Sequence, residues 1–306
     1  MTTIARAAAK RRARPVEWKT VSLILGCYGA WAGLTALLWA TAPLTTVILL
    51  GIAIAFHASL THEAIHGHPF ANQTANEAAM ALSLNLCIPL ARFRDLHLAH
   101  HRDSNLTDPY DDPETNYLDP AKWSRMRAWA QWLYRLNNTL AGRILVGPVI
   151  GQLTFCYDEW QRAKGGDWAV LRAWTLHAVG VAVVITWVIW TPMPVWAYLV
   201  SAYLGLALLR IRTFAEHRAH ERSRARTVII EDRGPLALLF LNNNLHVVHH
   251  MHPDVAWYDL PRMYARGRDR YVACNEGYVF RSYGELFRRH FWRAKDPVAH
   301  PLWPRS

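Results

Sequence analysis

Charged residues are scarce in this sequence, at 19%, where soluble domains carry roughly a quarter. The shortfall argues against a wholly water-soluble globule. Cysteine is nearly absent. Cys27, Cys87, Cys156 and Cys274 lie far apart and form no CxxC pair. No disulfide framework or thiolate metal site is expected, which fits a reducing compartment. The net charge is +11, yet no helix-turn-helix, zinc-finger or RNA-binding signature accompanies it, so no nucleic acid partner is expected. The chain also lacks internal repeats and low-complexity tracts.

What replaces the missing charge is apolar. Hydrophobic residues make up 52%, and there are 15 tryptophans, a residue enriched at membrane–water interfaces. Four apolar runs stand out, at about 20–42, 43–60, 173–190 and 193–209. A run of about 20 residues crosses roughly 30 Å of hydrocarbon. Short breaks at Ala42-Pro43-Leu44 and Thr191-Pro192-Met193-Pro194 make each pair read as a helical hairpin. The first run is longer than a secretory signal's apolar core and a second follows at once, which favours spans over a leader. Neither hairpin tip is charged. Arg6, Lys10, Arg11, Arg12, Arg14 and Lys19 precede the first run, Arg172 precedes the third, and Arg210 and Arg212 end the fourth. The positive-inside rule then places both termini and the middle segment in the cytoplasm. The expected fold is an all-α, multi-pass integral membrane protein. Four transmembrane helices in two hairpins form one domain over 1–306, with a helical cytoplasmic cap (61–172 and 210–306) carrying a metal site. Residues 75–91 and 139–156 are apolar enough for buried or interfacial helices.

Histidine is abundant, at 16, and clustered. The clusters are His62-Glu63-Ala64-Ile65-His66-Gly67-His68, His97-Leu98-Ala99-His100-His101 and His246-Val247-Val248-His249-His250-Met251-His252. Residues three and four apart share a helix face. His62 and His66, then His97, His100 and His101, then His246, His249 and His250 can each converge on a point. A single HxxxH arises easily by chance; two HxxHH boxes beside it do not. Neutral imidazole suits Fe, Zn, Cu and Ni, and eight histidines suit a pair of ions.

HxxxH, HxxHH and HxxHH in this order, the last two separated by a hairpin, resemble the membrane fatty acid desaturase superfamily, which includes lipid hydroxylases and carotenoid ketolases. His250-Met251-His252-Pro253 through Trp257, Tyr258, Leu260 and Pro261 strengthens the likeness, which covers roughly 20–262. The resemblance implies two non-haem iron ions held by these histidines, with O2 as co-substrate. It implies attack on an unactivated C–H bond of a fatty acyl or lipid-like chain held in an apolar tunnel. Desaturation is the favoured outcome, with hydroxylation or a related oxidation as the alternative. The resemblance also implies a ninth ligand from the end of the fourth span, His217, for which His220 could substitute. No HPGG haem motif follows His68, His252 or His300, so electrons are expected from a separate ferredoxin, rubredoxin or cytochrome b5 with its reductase. The expected partners are therefore that donor, the lipid substrate and membrane lipids.

Other residues have plainer readings. His62-Glu63-Ala64-Ile65-His66 also fits the zincin pattern, but a membrane zinc protease leaves both HxxHH boxes unexplained. A metal transporter would need polar spans. His57 and His177 read as core histidines, His68 and His252 as neighbours of ligands. Asn242, Asn243 and Asn244 suit a helix cap, and Asp108 to Glu114 suit turns.

Overall fold

A computed structural model describes residues 15–102 and 105–303. The basic stretch from Arg6 to Arg14 lies outside the described residues. The described chain is mostly helical, with loops between the helices and one pair of two-residue strands.

The helices run in chain order. α1 (Trp18–Gly33) continues as a π-helical turn over Leu34–Leu38, and α2 (Pro43–Ile65) begins with proline at its first turn. Then follow α3 (Gln73–Ala79), α4 (Leu90–Arg102), α5 (Pro120–Ser124), α6 (Ala128–Asn137), α7 (Leu140–Leu145) and α8 (Gly147–Lys164). Next come α9 (Trp168–Trp190), α10 (Val195–Ala215), strand β1 (Ile229–Ile230), α11 (Pro235–Leu239), α12 (His246–Met251) and α13 (Leu260–Cys274). Strand β2 (Val279–Phe280) and α14 (Tyr283–His290) follow.

Four helices are long and apolar enough to cross a membrane: Trp18–Leu38, α2, α9 and α10. Their positions agree with the apolar runs, but α9 starts before residue 173 and α10 runs past 209. Asp167 accepts hydrogen bonds from the backbone N–H of Ala169 and Val170, so capping starts α9 ahead of the purely apolar stretch. Arg172 therefore lies on the helix rather than before it. Leu171, Leu176, Val179, Val183 and Ile189 of α9 are exposed. In water that apolar face would be costly; against lipid it is at home. Trp18, Trp168, Trp190 and Trp196 are exposed at helix ends, as in an interfacial aromatic belt.

The chain forms two compact units. The first comprises residues up to Arg94 together with Asp158–Leu206. Its core is built from Trp31, Leu50, Ile54, Leu84, Val184, Val188, Tyr198 and Ala202. Gly51 and Gly205 let two spans touch. A Cβ at Gly205 would lie 2.7 Å from Ile54 Cγ2 and 3.0 Å from Gly51 O. Small residues allow such close helix approach in membranes. Arg92 and Glu159 form a buried bidentate pair at 2.7 and 2.9 Å, and Trp174 Nε1 donates to the same carboxylate.

The expected helix over 75–91 stops at Ala79. The following carbonyls are taken by side chains instead: Ala79 O by Tyr28, Leu84 O by Tyr198 and Leu86 O by His177. Asn85 Oδ1 accepts from the backbone N–H of Cys87 and Ile88, fixing a turn. The apolar stretch 139–156 is helical, as α7 and the first part of α8.

The second unit comprises Asp95–Tyr157 together with the chain from Ala207 onward. β1 and β2 pair in parallel, Ile229 with Val279 and Ile230 with Phe280. Successive strand residues face opposite sides. Ile230 joins a core with Phe214, Phe240, Tyr278 and Leu286, while Ile229 joins another with Leu245, Val248, Leu260 and Tyr271. The second core seats α12 and its histidines.

Candidate metal centre

Two elements and one turn carry the clustered histidines of the second unit. His97, His100 and His101 lie on α4, and His246, His249 and His250 on α12. His217 follows α10 and bridges Thr227 in antiparallel fashion. His100, His217, His246 and His250 offer ligand atoms all within 4.8 Å of one another, and His97, His101 and His249 converge in the same way. The two groups adjoin, with His101 stacked on His250 at 4.2 Å between ring centroids.

The nitrogen geometry points to cations. His100 Nε2 lies 3.0 Å from His217 Nε2. His246 Nε2 lies 3.2 Å from both His217 Nε2 and His250 Nε2. His101 and His249 meet through Nε2 atoms 3.1 Å apart. Ligands about 2.1 Å from a common ion, at right angles, sit about 3.0 Å apart.

The Nδ1 atoms show which nitrogen holds the lone pair. His100 Nδ1 donates to Asp112 at 2.7 Å and His97 Nδ1 to Glu114 at 2.8 Å. An ionised carboxylate only accepts, so Nδ1 carries the proton and the neutral ring's lone pair is on Nε2. His246 Nδ1 faces Asn243 Oδ1 at 3.1 Å, and Asn243 Nδ2 donates to Glu216. Glu216 is ion-paired to Arg212 at 3.0 Å. With Nδ1–H on both His100 and His246, their Nε2 atoms are the ones turned toward His217, and a cation bound there would take the place of the Nε2 proton of His100. Anchored Nδ1–H groups of this kind fix the orientation of metal-bound imidazoles.

Electrostatics agree. Burial, then the neighbouring imidazoles, push His217, His246 and His250 well below the usual histidine range. Burial, His97 and His100 lower His101 to about 3. Such rings are neutral at physiological pH, the form that binds metal. His100 differs: burial lowers it, but Glu114 and Asp112 outweigh that and hold it at about 9.

The remaining histidines differ in their surroundings. His62 and His66, in the first unit, lie with ring centroids 4.8 Å apart at the end of α2, where His66 is the C-cap. Glu63 is buried, 4.0 Å from His62 Nδ1. His68 bonds Glu17 at 2.7 Å. His57 bonds Tyr28 and His177 faces Leu86 O, as satisfied core histidines do. His220 faces Glu276 at 3.5 Å, and His252 is the C-cap of α12 against the edge of Tyr271.

Sequence reasoning missed the acceptors. Asp108 does form a turn, accepting from the N–H of Tyr110 and Asp111. Asp112 and Glu114 instead orient box-two histidines. The asparagines do not cap α12, whose N-cap is Leu245. Asn242 donates to Trp257 O, Asn244 to Ile230 O, and Asn243 serves His246. The available signal was a general one: metal-bound imidazoles need N–H acceptors, and Asp112-Pro113-Glu114 is the acidic run nearest after box two.

The histidine groups thus have the donor set of a metal centre. Among known proteins, a family model described as "Fatty acid desaturase" matches residues 37–283, about four fifths of the chain. A relative named "Beta-carotene ketolase", from Paracoccus sp. (strain N81106 / MBIC 01143), is 24% identical over 227 residues. The alignment covers 72% of this chain and 77% of the relative. The family match takes in all three boxes, His217, three of the four candidate spans and only the last two residues of the first. This chain is a membrane oxidoreductase with desaturase- or oxygenase-type use of O2, and it belongs to the fatty acid desaturase family.

Proposed function

We infer that the protein is a di-iron oxidase of an unactivated C–H bond in a long apolar chain, with desaturation of a fatty acyl or similar lipid as its reaction. The observation that carries this is the pair of adjoining imidazole groups, with Nε2 atoms 3.0–3.2 Å apart and carboxylates behind them. In this reading His100, His217, His246 and His250 hold one iron. His97, His101 and His249 serve the other, and His62 and His66 are proposed as ligands as well. When bound, the iron pair with O2 and two electrons supplies an oxidant strong enough for such a bond.

The protein's own residues then have defined tasks. Asp112 and Glu114 keep the Nδ1 protons of His100 and His97, leaving Nε2 for metal. Asn243, steadied by Glu216, does this for His246. Removal of two hydrogens from adjacent CH2 groups consumes one O2, two electrons and two protons and releases two waters. Insertion of one oxygen atom consumes the same reactants and releases one water. With no haem motif in the chain, electrons come from a separate ferredoxin, rubredoxin or cytochrome b5 system. The basic N-terminal stretch orients both termini and the metal centre to the cytoplasm.

The ketolase relative favours a second outcome, oxygen insertion at a CH2 group, for this same centre. Expression in a host supplying fatty acyl lipids and carotenoids, with mass spectrometry of both, separates the two. A product lighter by two hydrogens identifies a desaturase, and one heavier by an oxygen, or by an oxygen less two hydrogens as in a ketone, identifies an oxygenase. No product differing from that of a His97→Ala control would overturn the oxidase reading.

A further inference from the structure

The segment 291–300 lies beyond the family-matched residues and packs within the second unit. It adds no ligand, yet it reaches the backbone or the supports of two of the histidines. Lys295 is partly buried and donates through Nζ to His217 O at 2.7 Å. That carbonyl is not used by the bridge to Thr227, whose flanking bonds are Arg218 N to Arg226 O and Val228 N to Glu216 O. Lys295 is ion-paired with Asp296. Tyr117 OH donates to Asp296 at 2.6 Å and accepts from Ala219 N at 2.8 Å, two residues past His217.

A second arm starts five residues on. His300 Nε2 contacts Thr107 Oγ1 at 3.2 Å. Thr107 has a left-handed φ of 75°, a poor conformation for a β-branched residue. It is held there by Asp112, which accepts from Thr107 N at 2.8 Å, and by Thr115 Oγ1, which donates to Thr107 O. Asp112 is also the acceptor for His100 Nδ1. His300 N donates to Leu118 O and Leu118 N to Val298 O, fixing the strap beside this loop. The contacts therefore close a ring: Lys295, His217, His100, Asp112, Thr107, His300. The closest imidazole pair, at 3.0 Å, is gripped from both sides by one six-residue stretch of chain.

We propose that the 295–300 strap is a positioning element for the four-histidine site, with Lys295 setting the His217 peptide and His300 the Asp112 loop behind His100. The proposal rests on the reading of His217 and His100 as ligands to one iron. Its mechanism is geometric. Ligands must be held within about half an ångström of their working positions, and a turn after a helix, strained at Thr107 on the other side, needs an external tie.

Lys295→Met alone leaves Asp296 without its cation, so the charge-balanced double variant Lys295→Met/Asp296→Asn is the decisive one. It is compared with Lys295→Arg, His300→Ala and His217→Ala, all purified in detergent. The readouts are iron per chain, the Mössbauer spectrum and helical circular dichroism. The double variant and His300→Ala should keep wild-type helicity, lose iron from about two per chain toward one, and lose one of two iron signals. Lys295→Arg should restore both. Two irons and an unchanged spectrum in the double variant, with iron lost in His217→Ala, would overturn the strap while leaving His217 a ligand. Two irons retained in His217→Ala would overturn the ligand reading and the proposal with it. A double variant that fails to fold where His217→Ala folds would make the strap a folding element and also overturn the proposal.

Discussion

Removing the Asp112 carboxylate isolates the link between loop and metal. Asp112 is buried and accepts three hydrogen bonds: from His100 Nδ1 at 2.7 Å, Thr107 N at 2.8 Å and Glu114 N at 2.9 Å. Asp112→Ala leaves three donors without their acceptor. Each buried unpaired donor costs about 1–3 kcal/mol. Partial access of water near Glu114 and local relaxation bring the expected loss of folding stability to about 3–5 kcal/mol. The metal effect is separate. Without its acceptor, His100 loses both the fixed tautomer and the ring orientation, and losses of this kind cost about 10–100-fold in metal affinity, or about 1.4–2.8 kcal/mol. Asp112→Asn divides the two effects. Its amide oxygen still accepts from His100, while its NH2 group opposes Thr107 N–H. The Asn variant should therefore lose iron affinity about tenfold and the Ala variant nearer a hundredfold. Anaerobic competition of Fe(II) between the purified protein and a chelator reads this directly, beside thermal unfolding in detergent. A folded Asp112→Ala protein with iron affinity within about twofold of wild type would refute the reasoning.

Three further outcomes follow from other parts of the molecule. Arg92→Met leaves Glu159 as an uncompensated buried charge and should destabilise by about 3–5 kcal/mol, with Arg92→Met/Glu159→Met recovering most of it, measured by thermal unfolding; equal loss in single and double variants would contradict this. Gly205→Val drives side-chain atoms into Ile54 and the Gly51 carbonyl and should cost about 1–3 kcal/mol, whereas Gly29→Ala, where a Cβ meets nothing within 4 Å, should be neutral or better in the same assay. Purified enzyme should be inactive with NAD(P)H alone and gain activity with a ferredoxin or cytochrome b5 and its reductase; turnover with NAD(P)H alone would remove the need for an external carrier.

The spans and the histidine boxes were legible because each is a local pattern. Apolar runs map directly onto α1, α2, α9 and α10, and the three- and four-residue spacings on α4 and α12 put their histidines on one face. The helix ends were less legible. Asp167 starts α9 ahead of the apolar run because a capping side chain, invisible to hydropathy, satisfies the first N–H groups. The end of α3 was illegible because what stops it is tertiary: Tyr28, Tyr198 and His177 compete for the carbonyls from Ala79 to Leu86. The same holds at the metal centre. His217 was reachable only by resemblance, since nothing in Phe214-Ala215-Glu216-His217 distinguishes a ligand from an interfacial histidine. Asp112 and Glu114 sit 12 and 17 residues from the imidazoles they orient, and Lys295 sits 78 from the carbonyl it holds. Contacts at such separations leave no periodic trace.

If the histidines hold two irons, the metal content of the protein reports it. Elemental analysis of the purified, detergent-solubilised protein, expressed with both iron and zinc available, tests it most directly. Close to two Fe per chain with little Zn is the expected result; one Zn per chain and no Fe would contradict it.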